Sequence, residues 1–201
     1  MIHHRRGEWH LAEGHFRAAL ENVAPTGEAF RARVCADWSL AVHHGGSPDR
    51  AAELAEGALR LAEAAGSAEA LARSHNVLGI LAGRRGDPAA ARAHLERSLA
   101  LASAEGEPAA RVAALNNLAL VCRSAGELEE AIELTRGGLE VCASQGDRHR
   151  EAALHNNLAD LLMETGRSEQ AMEHLKIAVK IFAEVGDPGE MTPGIWKLVE
   201  W

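Results

Sequence analysis

The chain has 201 residues and a formal net charge of −8 at pH 7. This acidic balance argues against a general binding surface for nucleic acid or an anionic membrane, so neither is expected as a partner. Hydrophobic residues, mostly Ala, Leu and Val, make up 47% of the chain and aromatic residues only 3%, which favours an all-α fold. The three cysteines match no disulfide framework and no apolar leader opens the chain, so a reducing, cytoplasmic location is expected.

A period of 40 residues organises most of the sequence. Two series of glycines follow it: Gly46, Gly86, Gly126 and Gly166, and Gly66, Gly106, Gly146 and Gly186. Apolar residues at helical spacing between these glycines predict two helices in each period. We therefore expect a single array over residues 1–201, made of a half unit, four full units and a terminal segment: 7–27, 28–66, 67–106, 107–146, 147–186 and 187–201.

The first predicted helix, at about residues 7–23, has the register of the second helix of a pair. Its partner helix is missing, although Trp9, Phe16 and Leu20 give it an apolar face. Since the end of a helical array normally needs a polar cap, we expect this face to be covered. The chain is then a fragment of a longer protein, or a second copy pairs with it through Trp9 and Phe16 to form a homodimer.

The full units carry the start and stop signals of paired helices. Asp87 before Pro88 is an N-cap residue followed by proline at the first helical position. Gly66 and its equivalents lie just past the second helix, where a left-handed backbone is favoured. Small residues at fixed places, such as Gly79 and Ala91, let paired helices approach closely. Both glycine series thus have a structural explanation.

The terminal segment 187–201 contains "MTPGIWKLVEW" and predicts a short helix with Ile195, Trp196 and Leu198. We expect this helix to cap the last helix pair. A tail that binds a partner is the alternative.

The repeated motif resembles the tetratricopeptide repeat. It reads "HNVLG…G…A…SL", "LNNLA…G…A…GL" and "HNNLA…G…A…AV" in three successive units. The 40-residue period is similar to the long-helix subtype of kinesin light chains, and to the repeat tails of bacterial signal-transduction ATPases and transcription regulators. The resemblance implies a right-handed α-solenoid of about 4.5 helix hairpins, in which the first helices line a concave groove. It also implies an interaction module within a larger bacterial regulatory protein.

Paired asparagines lie in the middle of the first helices of two units, although Asn disfavours a helix. Asn116 and Asn117 recur 40 residues later as Asn156 and Asn157. Side-chain amides both donate and accept hydrogen bonds, so a row of them suits the backbone of an extended peptide. In long-helix relatives, Asn at the places of Asn117 and Asn157 contacts the ligand backbone. The alternative, in which amides brace neighbouring helices, suits Asn116 and Asn156 better.

The repeat register places ten candidate contact residues on the groove face: Arg73, Asn76, Arg84, Asn116, Asn117, Leu120, Arg123, Asn156, Asn157 and Asp160. The three arginines of this set precede Asp160 and Glu164 along the array. Such an uneven distribution of charge predicts a ligand with one acidic end.

Motifs of catalysis and metal binding are missing from the sequence. No phosphate-binding loop, HExxH or CxxC occurs, and no nucleophile stands out beside a base. We therefore expect no enzymatic activity, no cofactor and no metal site, and the shared register of His75 and His155 favours a packing role. The expected function is a non-catalytic module that holds a peptide or partner segment in its groove. A sensor of a small peptide signal and a structural or dimerisation element are the alternatives.

Overall fold

The computed structural model describes residues 9–21 and 27–185, with side chains from residue 13 onward. Over these ranges all regular structure is helical. The helices are α1 (Trp9–Glu21), α2 (Glu28–His44), α3 (Pro48–Ala65), α4 (Ala68–Arg84), α5 (Pro88–Ala104), α6 (Pro108–Ser124), α7 (Leu128–Gln145), α8 (Arg148–Glu164) and α9 (Ser168–Val185). The predicted all-α class is confirmed. The capping helix predicted in segment 187–201 lies outside the described residues, as does the side chain of Trp9.

The chain divides into two compact units, Met1–Ala110 and Arg111–Trp201. Helices α1–α5 belong to the first unit, and α6 crosses the boundary in its first turn and continues with α7–α9 in the second. Each predicted full repeat contains two described helices, namely α2 with α3, α4 with α5, α6 with α7, and α8 with α9. A single array over residues 1–201 stays a prediction.

From α2 onward, the turns between helices share a glycine with a positive φ. Gly86, after the first helix of its repeat, has φ 78°, and Gly66, after a second helix, has φ 59°. These values fall in the left-handed region, which a residue with a side chain adopts only at a cost. Asp87 then starts α5, because its Oδ1 accepts a hydrogen bond of 2.9 Å from the backbone N–H of Ala90.

Neighbouring helices meet closely at glycines. A Cβ added to Gly79 in α4 would lie 2.6 Å from Cγ of Leu95 and 3.2 Å from the carbonyl oxygen of Ala91, both in α5. In the second unit, a Cβ added to Gly138 in α7 would lie 3.0 Å from Cδ1 of Leu154 in α8. A missing side chain therefore sets the distance between α4 and α5, and between α7 and α8.

The core of the first unit lies among α2, α3 and α4. Its larger members are Trp38, Leu40, Val77, Leu78, Ile80 and Leu81. Phe16 and Leu20 of α1 are partly buried against this core. Part of the apolar face predicted for the first helix is thus covered within its own unit. The homodimer through Trp9 and Phe16 stays a prediction.

Replacing Gly79 with Ala is expected to lower the free energy of unfolding by about 1–3 kcal/mol, because the new methyl would overlap the buried Leu95. Gly137→Ala is the matched control, since Gly137 also lies inside a helix but its added Cβ would meet Leu115 Cδ1 at an ordinary 3.9 Å. There the helix propensity of Ala should raise stability by about 0.5–1 kcal/mol. Urea unfolding followed by circular dichroism measures both changes. Equal effects of the two substitutions would contradict the proposed role of Gly79.

Candidate functional site

Three of the predicted asparagines form a hydrogen-bonded chain in the second unit. The Nδ2 of Asn157 in α8 donates to Oδ1 of Asn116 in α6 at 2.8 Å. The Nδ2 of Asn116 in turn donates to Oδ1 of Asn117 at 3.4 Å. An amide left unpaired in the interior costs about 1–3 kcal/mol, so this chain joins α6 and α8 strongly. This contact braces α6 against α8, which is the alternative role considered for Asn116, and it gives Asn157 the same role.

The predicted amides lie below the surface. None of Asn76, Asn116, Asn117, Asn156 and Asn157 has more than 5% of its area exposed. Leu120, on the same side of α6, is partly exposed. A peptide that approaches this face of the second unit would meet Leu120 and the neighbouring charged side chains before it meets an amide.

A charged cluster lies at the ends of α6 and α8. Arg123 donates from Nε to Oε1 of Glu164 at 2.9 Å, and its Nη2 forms an ion pair with the same oxygen. The Nη1 of Arg123 lies 3.9 Å from Oδ2 of Asp160, beyond hydrogen-bond distance. Burial raises the pKa of the Asp160 carboxyl above its ordinary value, although Arg123 acts in the opposite direction. We call Asn117, Leu120, Arg123, Asn157, Asp160 and Glu164 the first-helix face of the second unit.

The first unit contains its own pairs between first helices. Arg73 in α4 donates from Nε to Oδ1 of Asp37 in α2 at 2.8 Å. Arg84, at the end of α4, has Nη1 3.3 Å from Nδ1 of His44 at the end of α2. Arg73 and Arg123 are therefore each neutralised by a carboxylate of their own unit. These contacts do not support the expected uneven charge along the candidate residues.

Sequence reasoning placed the candidate residues on the correct helices but missed their partners. Asp37 is 36 residues before Arg73, and Glu164 is 41 residues after Arg123. Both separations are close to one period, so opposite charges about 40 residues apart were the available signal. Residues in equivalent places of successive first helices come within reach of one another when these helices lie side by side.

One group of three side chains in the described part of the chain has the spacing of metal ligands. The Cys122 Sγ and carboxylate oxygens of Glu127 and Glu130 lie within 4.8 Å of one another, around the turn between α6 and α7. Cys122 is buried, while both glutamates are exposed. Exposed acidic groups often meet at a helical turn, and no second feature here points to an ion. The group therefore carries no assignment.

Within the described ranges, no helix combines the length and apolar character that crossing a bilayer requires.

The helices and turns match those of a known repeat family. A family model for the tetratricopeptide repeat matches residues 33–104 and 111–184, and a second model of the same description matches residues 76–140. The chain belongs to the tetratricopeptide repeat (TPR) family. The residues matched by the first model contain most of α2–α9 and every candidate contact residue. No curated protein sequence matches the chain significantly.

Solved structures confirm the α-solenoid class and the resemblance stated above. BtubC (BKLC) from P. vanneervenii has a TM-score of 0.73 at 19% identity, over 91% of this chain and 76% of its own. The nearly identical TPR-like repeats of a candidate kinesin light chain from Podosopora anserina have a TM-score of 0.62 at 19% identity, over 92% of both chains. A Signal Transduction ATPase with Numerous Domains from Pyrococcus horikoshii has a TM-score of 0.73 at 16% identity, over 89% of this chain but 28% of its own. At these identities the likeness shows the fold alone.

Replacing Asn116 with Ala is expected to lower the free energy of unfolding of this TPR protein by about 1–3 kcal/mol, because the Asn157 amide loses its buried acceptor. The double variant Asn116→Ala/Asn157→Ala should cost less than the sum of the single variants. Asn156→Ala is the control, since this neighbour is equally buried but bonds no amide of α6 in the described structure. Its effect should add to that of Asn116→Ala. Strict additivity of Asn116 and Asn157 in urea unfolding would argue against the amide chain.

Proposed function

We propose that this chain is a non-catalytic module that binds a peptide or an extended segment of another protein. We place it in the cytoplasm, inside a larger bacterial regulatory protein. Family membership supports the proposal, because repeat arrays of this kind present extended surfaces that bind other proteins. The Pyrococcus horikoshii neighbour is described as having a TPR sensor, which supports a regulatory setting.

The observation that carries the proposal is an incompletely satisfied cation on the first-helix face of the second unit. The Nη1 of Arg123 is buried and makes no hydrogen bond within the described structure. A buried donor without an acceptor costs about 1–3 kcal/mol. An acceptor supplied by a partner would recover this energy after a small opening of the Arg123 side chain. Leu120, one helical turn earlier, offers an apolar contact beside it.

In the proposed complex, a backbone carbonyl of the partner accepts from Arg123 and an apolar side chain packs on Leu120. Since Glu164 already neutralises Arg123, a neutral carbonyl suits this site better than a second carboxylate. Asn117 and Asn157 lie beneath, where the amide chain holds α6 and α8 in place. The proposed ligand is therefore an extended, largely uncharged segment.

The first unit offers a separate patch on α4, formed by Arg73 and Arg84, with Asn76 buried on the same helix. Asp37 already pairs with Arg73, and His44 lies beside Arg84. We expect this patch to contribute less binding energy than Arg123 and Leu120, because in the described structure neither Arg73 nor Arg84 has a buried donor without an acceptor, as Arg123 has in its Nη1.

Peptides selected from a displayed library on the parent chain are expected to bind the variants Leu120→Glu and Arg123→Gln at least tenfold more weakly. A tenfold loss corresponds to about 1.4 kcal/mol, a modest value for a contact at the centre of an interface. Arg136→Gln is the matched control, because Arg136 is an exposed arginine of α7 that pairs with Glu133. Fluorescence anisotropy with a labelled peptide measures the affinities.

All three variants must first reproduce the helical circular dichroism and the unfolding midpoint of the parent. Equal affinity in Leu120→Glu and the parent would remove the proposed face. An equal loss in Arg136→Gln would indicate general attraction between charges instead of a defined site.

A further inference from the structure

Each unit contains a pair of histidines that face one another across a helix hairpin. The Nδ1 atoms of His75 in α4 and His94 in α5 lie 3.0 Å apart. In the second unit, the Nδ1 atoms of His155 in α8 and His174 in α9 lie 2.8 Å apart. The two pairs occupy the same repeat register, 80 residues apart. The same contact has thus been built twice, in two separate units.

The ring geometry is that of a hydrogen bond between the two Nδ1 atoms of each pair. The ring centroids are 5.3 Å apart in the first pair and 5.0 Å in the second, with interplanar angles of 35° and 26°. Each centroid separation exceeds the matching nitrogen separation by about two ring radii, so the two nitrogens point almost directly at one another. A neutral pair satisfies this geometry when one ring carries its proton on Nδ1 and the other on Nε2. Two ligands of a metal ion would instead converge at an angle on a third point.

The surroundings of both pairs oppose added protons. Burial, followed by the partner imidazole, lowers the pKa of His75 and of His155 to about 4. Burial likewise lowers the pKa of His94 and of His174.

The charged groups around the pairs come from several helices. Arg85 after α4 and Arg97 in α5 disfavour protonation of the first pair. For the second pair, Arg136 of α7 and Arg148 of α8 disfavour it, while Glu151 of α8 and Glu173 of α9 favour it. The charged side chains that shift the pKa values of the first pair are arginines, whereas those that shift the pKa values of the second pair include both arginines and glutamates.

Packing alone does not require imidazoles at these places. The hairpin of α6 and α7 has Leu115 and Leu134 in the equivalent register, and the hairpin of α2 and α3 has Cys35 and Leu54. Leucine has no titrating group, and burial raises the pKa of the Cys35 thiol, so neither kind of side chain changes its charge near neutral pH. What the histidine hairpins add to the apolar ones is therefore a contact whose bonding depends on pH.

We infer that the two histidine pairs are acid-sensitive latches that hold α4 to α5 and α8 to α9. At neutral pH each pair shares one N–H···N hydrogen bond between its helices. One extra proton leaves that bond in place, but a second proton brings N–H against N–H and two like charges together. Acidification then loosens both hairpins. The inference does not depend on the proposed partner site.

The direction in which pH changes the stability follows from the histidine pKa values of the unfolded and the folded chain. Histidines of the unfolded chain bind protons near the ordinary pKa of 6.5, whereas His75 and His155 in the folded chain do so near 4. The stability contributed by the pairs is therefore complete above pH 6.5 and is lost as the pH falls towards 4.

The test compares the parent with the variant His75→Leu/His94→Leu/His155→Leu/His174→Leu by urea unfolding between pH 4.5 and 7.5, a window chosen around the pKa values above. The unfolding constant of the parent should rise as the pH falls below 6.5, by about tenfold per pH unit for each proton bound on unfolding. The Leu variant should show a clearly smaller rise, because its carboxylates are those of the parent. Equal pH dependence of the two proteins would overturn the inference.

Two variants with a single pair replaced serve if the quadruple variant does not fold. His75→Leu/His94→Leu and His155→Leu/His174→Leu imitate the Leu115 and Leu134 of the intervening hairpin. Each is expected to remove about half of the pH dependence attributed to the pairs. No reduction in either variant would overturn the inference.

Nitrogen-15 NMR of the imidazoles at pH 7 tests the latch directly. Each pair should show one ring protonated on Nδ1 and one on Nε2. Four rings with the same Nε2 tautomer would overturn the shared proton. Zinc added at pH 7 should not stabilise the parent more than the quadruple Leu variant. A stabilisation specific to the parent would replace the latch with a metal site.

Discussion

The close approach of neighbouring helices is the constraint on which each unit depends. Gly79 brings α4 against Leu95 of α5, and Gly138 brings α7 against Leu154 of α8. Short polar side chains hydrogen-bond directly between helices only when the backbones lie this near to one another. The imidazole contact between α4 and α5, at 3.0 Å, thus depends on the same geometry as the apolar packing beside it.

Two kinds of polar contact join these packed helices, one buried and one half-buried, and they respond differently to conditions. The amide chain of Asn157, Asn116 and Asn117 keeps its hydrogen bonds at any physiological pH, because amides do not titrate there. The histidine pairs keep theirs only until a second proton enters the pair. A unit whose helices are joined by amides in one place and by imidazoles in another can therefore stay assembled between α6 and α8 while it loosens between α8 and α9.

The charged residues of the first helices act mainly within their own units. Arg73 with Asp37, and Arg123 with Glu164, each join the first helices of two successive repeats. Such pairs specify how the helices meet more than they add to stability. In the proposed complex, the partner binds to what these pairs leave unsatisfied, which at Arg123 is the Nη1 donor. TPR membership supports protein binding in general, whereas the chemistry of this position argues for one class of segment.

The sequence by itself determined the local structure of this protein. Gly66, Gly86 and the Asp87–Pro88 step specify turns and helix starts through backbone preferences that need no distant partner, and the 40-residue period showed how often they recur. The period also identified the asparagines as unusual, because a residue type that disfavours the helix recurs at the same two places of two successive units. Only the tertiary structure decided what these side chains bond to. Asn116 meets Asn157 and His75 meets His94 through the crossing of packed helices, and a crossing depends on the side-chain volumes of both helices at once. The spacing of residues along one helix does not determine how far that helix lies from its neighbour.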